Sequence, residues 1–117
     1  MKLMTLALAL TVSAAPALAA SPPPWCAGPR LYPDETAICD NAFLWRKDLL
    51  LWKRYHAFLG VQRAHGRSRA AAAAAYQRDW IKKERRACRT NVICLVKAYD
   101  ERIENLQEMV GDIEDND

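Results

Sequence analysis

The sequence predicts an all-α fold, a small bundle in which one short N-terminal helix precedes three longer ones and two disulfides staple the whole. Three observations predict it. First, apolar or large residues recur at steps of three and four, at Tyr76, Trp80 and Ala87 and then at Val92, Leu95, Tyr99, Ile103, Leu106 and Met109, giving each of two helices an apolar stripe. Second, capping and stopping residues stand between the periodic stretches: Asp40 or Asn41, Gly66, Thr90 or Asn91, and Gly111. Third, four cysteines lie in two close pairs, Cys26 with Cys39 and Cys88 with Cys94, separated by twelve and five residues.

The elements follow in order along 117 residues. Met1–Ala19 reads as a cleaved secretory signal: a basic start at Lys2, an apolar run from Leu3 to Val12, and the small-x-small step Ala17-Leu18-Ala19. Thr11, Ser13 and Pro16 interrupt that run, so it falls short of the ~18 continuous apolar residues of a membrane span. The remaining ~98 residues make one small domain, which needs help to be stable. An oxidising compartment supplies that help through disulfides. Of the three pairings that four cysteines allow, the local one is expected, each short loop contributing about 2–3 kcal/mol. A zinc site is not expected, because no C-x2-C step occurs and His56 and His65 lie far from the cysteines.

Residues 20–33 read as a proline-stiffened leader and loop, with Trp25 packed over the neighbouring half-cystine. The domain proper is expected over residues 34–111. Pro33-Asp34-Glu35 starts a short helix through Cys39. A longer helix runs from Ala42 to about Leu59, loosened at Gly60, with Leu44, Leu51, Tyr55 and Phe58 on one face and Trp45, Leu49, Trp52 and Leu59 widening it. Asp48 falls on the apolar side and is expected to pair with a cation from another helix. Ser68 is expected to cap a helix through Cys88 whose run Ala70–Ala75 allows close approach of a neighbour. The last helix is expected to stop at Gly111, leaving 112–117 as a frayed acidic tail.

Charge is split along the chain: residues 41–97 carry fourteen Lys/Arg against three Asp/Glu, and residues 100–117 carry eight acids and one arginine. Such a field steers charged partners. No nucleophile–base pair or carboxylate pair stands in a recognisable motif, so no catalytic residue, metal ligand or cofactor is expected. Export makes nucleic acid an unsuitable partner for the basic stretch, and contact with an anionic envelope surface suits it better.

Cys26, Asp34-Glu35, Ile38-Cys39, Asp48 and Tyr55, Gln77-Arg78-x-Trp80, Arg85, Cys88, Cys94-Leu95, Tyr99 and Arg102-Ile103 follow in order a known pattern. From Trp25 to about Leu106 the chain resembles the lysozyme inhibitor LprI-like family. It departs at Lys47, where an apolar residue is usual, at the bulky Trp45 and Trp52, and in the interval from Trp80 to Cys88, which is about a residue long. The resemblance implies a small exported, disulfide-bonded helical domain of the periplasm or cell exterior that binds a lysozyme. Contacts to a cationic enzyme are expected at Glu101, Glu104, Glu108 and Asp112, spaced along one side of the last helix. The alternative is an envelope adaptor docking a protein partner through Trp45 and Trp52.

Overall fold

The structure, a computed structural model, describes residues 21–115. The expected signal sequence, residues 1–19, lies outside the described residues. Four α-helices are described: α1 Pro33–Cys39, α2 Ala42–Ala64, α3 Arg67–Trp80 and α4 Val92–Asp115. Between α3 and α4 the chain passes through a π-helical turn, Ile81–Arg85, and a 3-10 turn, Arg86–Cys88. The π-turn takes up one residue more than an α-helix would in the same rise. It lies within the Trp80–Cys88 interval.

Both disulfides form in the local pairing, Cys26 with Cys39 and Cys88 with Cys94. Asn41 caps α2, its side-chain oxygen accepting from the backbone N–H of Phe43 and Leu44 at 3.0 and 3.2 Å. Asn91 does the same at α4, accepting from Cys94 N at 3.0 Å. At α1, the Tyr32 N–H donates to Glu35 Oε1 at 2.9 Å, one half of a capping box.

Four local expectations are corrected. Helix α2 runs through Gly60 to Ala64: Gly60 is exposed, and Phe58 and Leu59 pack into the core on its N-terminal side, a gain that outweighs the ~1 kcal/mol glycine costs in a helix. Ser68 does not cap α3, because Gly66 occupies the cap with φ 128°, a conformation natural to glycine, and Ser68 sits one residue inside. Gly111 does not stop α4, which continues to Asp115, so the backbone over 112–115 is helical and not a tail. Tyr76 is not on the core face: it is 69 % exposed, and Gln77 is buried in its place.

Residue pairs fix the directions of the helices. Tyr99 meets Asp48, and three residues on Arg102 lies by Tyr55, so α2 and α4 run parallel. Trp80 meets Tyr99 edge-on at 5.6 Å and Gln77 meets Arg102, so α3 runs antiparallel to both. The core lies along their common axis: Leu44, Leu51 and Phe58 from α2, Ala73 and Trp80 from α3, and Leu95, Tyr99, Ile103 and Leu106 from α4. Ile38 of α1 closes one end. Of the alanine run only Ala73 is fully buried, with Ala70 and Ala74 half-buried at helical spacing beside it. That places one small-residue edge of α3 toward its neighbours and leaves Ala71, Ala72 and Ala75 exposed. No described helix is long and apolar enough to cross a membrane.

Candidate binding site

A polar cluster is built into the end of the bundle nearest α1. Asp34, in the first turn of α1, is fully buried and accepts a hydrogen bond from Arg85 Nε at 2.8 Å. Glu35 Oε2 lies 3.7 Å from Arg85 Nη2, and Arg86 Nε lies 3.8 Å from Asp34 Oδ1. Arg85 projects from the last residue of the π-turn. Its guanidinium stands 5.4 Å from the centre of the Trp25 ring, and that of Arg86 stands 3.6 Å from Tyr32, so each cation has both carboxylate and aromatic neighbours.

A second polar line crosses the bundle beside it. The Tyr99 hydroxyl donates to Asp48 Oδ1 at 2.8 Å. Arg102 donates from Nε to Gln77 Oε1 and from Nη1 to Asn105 Oδ1, both at 3.0 Å. Burial pushes the Asp48 carboxyl up from its ordinary 3.8, against the Tyr99 hydrogen bond, the Arg85 charge and the Trp25 indole. Burial and the Asp48 charge raise Tyr99, while burial lowers Arg102 against the Tyr76 and Tyr55 hydroxyls. Asp48 therefore meets a hydroxyl and has no ion pair among the described residues; the expected cation is Arg85, close enough to act through space only.

Beside these two lines lies a half-open cavity of about 190 Å³. Trp25, Trp52 and Tyr55 supply its rings and Asp48, Gln77 and Arg85 its polar groups, over a floor that includes Leu51 and Ile81. A wider, shallower groove of about 270 Å³ lies at the other side of α1, between Thr36, Asp40 and Val92. The cavity offers a carboxylate acceptor, amide and guanidinium donors and flat apolar faces at one spot.

The expected partner-binding residues are placed apart from this cavity, save Trp52. Glu101, Glu104 and Glu108 are exposed on the side of α4 opposite Leu95, Tyr99 and Leu106. Glu101 lies 3.9 Å from Lys97, while Glu104 and Glu108 have no ion pair among the described residues. The side chain of Asp112 lies outside the described residues. Trp45 is half-buried, donates its indole N–H to the Cys39 carbonyl at 2.9 Å and ties α2 to the end of α1. Trp52 is 56 % exposed, with Leu49 exposed one turn before it. Trp25 lies against Arg85 and the cavity, so it does more than cover its disulfide.

Sequence reasoning named Asp48 as an acid on an apolar face but did not foresee a site there. Gln77 and Arg85 entered only as parts of the family pattern, with no role at a site, because what a polar residue at a core register does is visible only once its neighbours are known. No family model, curated protein or solved structure matches the chain. The fold and the site themselves define a class: an all-α, disulfide-stapled helical domain with a buried ionic cluster beside a small aromatic cavity.

Proposed function

We propose that this is an exported protein-binding domain, similar to the LprI-like lysozyme inhibitors, that blocks a cationic lysozyme through α4. The observation that carries the reading is the row Glu101, Glu104 and Glu108, exposed on the back of α4 with at most one lysine beside it. Carboxylates free of intramolecular partners keep their charge available for an incoming cationic surface. The parts quoted for the resemblance also have a shared physical role here: Asp34, Asp48, Gln77, Arg85, Tyr99 and Arg102 all belong to the polar cluster. A pattern made of such residues records how the bundle is packed.

The test is the rate at which a cationic lysozyme clears cell-wall substrate in the presence of the disulfide-bonded protein, with a reduced and alkylated control. Dose-dependent loss with the folded form alone supports the reading. Undiminished activity at large molar excess overturns it for that type of lysozyme.

One observation favours a second reading, an envelope adaptor: Trp52 and Leu49 form an exposed apolar step on α2. An adaptor of that kind dimerises or cross-links to an envelope protein, and Trp52→Ala removes the cross-link.

A further inference from the structure

The cavity contains polar atoms that the fold leaves unused. The Arg85 side chain is 6 % exposed, gives Nε to Asp34 at 2.8 Å and holds Nη2 3.7 Å from Glu35 Oε2, an ion-pair distance longer than a hydrogen bond. Gln77 gives its oxygen to Arg102, which leaves its amide N–H groups free, and Asp48 gives one oxygen to Tyr99. All three residues line the cavity together with Trp25, Trp52 and Tyr55. These groups keep donor and acceptor capacity at the cavity surface that an occupant can use.

Charge and shape select the occupant. Three carboxylates, Asp34, Glu35 and Asp48, meet three guanidiniums, Arg85, Arg86 and Arg102, so the cluster has no net charge. A cation entering it meets Arg85 and an anion meets Asp48. A hydroxyl both donates and accepts, and adjacent hydroxyls on one ring can satisfy Asp48 and Arg85 together. The rings offer flat faces to C–H groups. At about 190 Å³ the cavity is smaller than the roughly 300–1,000 Å³ of drug-sized sites, which limits it to about one ring.

We propose that the cavity binds a single neutral saccharide ring, its hydroxyls on Asp48, Gln77 and Arg85 and its apolar face on the Trp52 side. This rests on the cavity alone and is independent of lysozyme binding through α4.

The experiment follows the tryptophan indole N–H signals of the disulfide-bonded protein by NMR while glucose, galactose, mannose and N-acetylglucosamine are added, with butylammonium and acetate as charged probes. The expected result is a saturable shift of Trp25 and Trp52 with at least one sugar, at a Kd on the order of 10 mM. Trp45, held on the Cys39 carbonyl, stays in place. Trp52→Ala, at an exposed position, and Asp48→Asn each weaken binding at least about tenfold while the helical circular dichroism is unchanged. No saturable shift with any of the sugars up to roughly 100 mM overturns the proposal. So does saturation by butylammonium or acetate alone.

Discussion

Arg89 has φ 52° and ψ −124°, and the Asn91 N–H donates to the Cys88 carbonyl at 3.1 Å, so residues 88–91 form a type II′ turn with an arginine where glycine is favoured. Arg89→Gly is therefore expected to stabilise the protein by about 1 kcal/mol, read as a higher midpoint in urea. The buried pair Asp34–Arg85 has the opposite sensitivity. Asp34→Ala removes the hydrogen-bonded carboxylate from a buried guanidinium and costs about 3–5 kcal/mol, each kcal/mol lowering Tm by about 4–8 °C. Replacing both partners with apolar residues costs less than that single change. Asp48 adds a pH dependence. Its folded pKa is raised above 3.8, so the folded state binds this proton more tightly than the unfolded chain, and stability is lost as pH rises through the folded pKa. The stability of Asp48→Asn relative to the natural protein should thus increase from pH 3 to pH 7; a flat difference would contradict the burial of this carboxyl.

At the scale of elements, α2 and α4 are each longer than their local stop signals allow. Gly60 lies inside α2, and a Cβ built there meets nothing within 4 Å. Gly60→Ala is expected to stabilise by up to about 1 kcal/mol, measured by chemical denaturation. Gly66→Ala has equally open space but a φ of 128°, so the same substitution six residues on should destabilise. The two glycines differ in backbone, not in surroundings. The polar loop between α3 and α4 is closed by Cys88–Cys94 around the strained turn. Removing that disulfide is expected to cost about 2–3 kcal/mol, because the turn must then be held by packing alone.

Across the whole molecule, the acidic residues of α4 divide between two directions. Asp100 turns to Lys47 of α2 and helps join the parallel helices, while Glu101, Glu104 and Glu108 face outward. Reversing those three to lysine is expected to abolish the proposed lysozyme inhibition without lowering Tm, since none of them supports the core; a fall in both would make the face structural. The all-α class, the cysteine pairing and the caps, narrowed to Asp40 or Asn41 and to Thr90 or Asn91, were legible in the sequence because each depends on neighbours within a few positions: helical period, loop length and side-chain reach. The end of α2 was not, because burial of Phe58 and Leu59 overrides what Gly60 does locally, and α4 likewise runs past Gly111. The aromatic cavity was not legible either. Trp25, Asp48, Gln77 and Arg85 come from four separate stretches, and the sequence determines only that each is polar or aromatic. Which of them meet, and which polar atoms are left without partners, is decided by the angle at which three helices pack and by the π-turn that aims Arg85 inward.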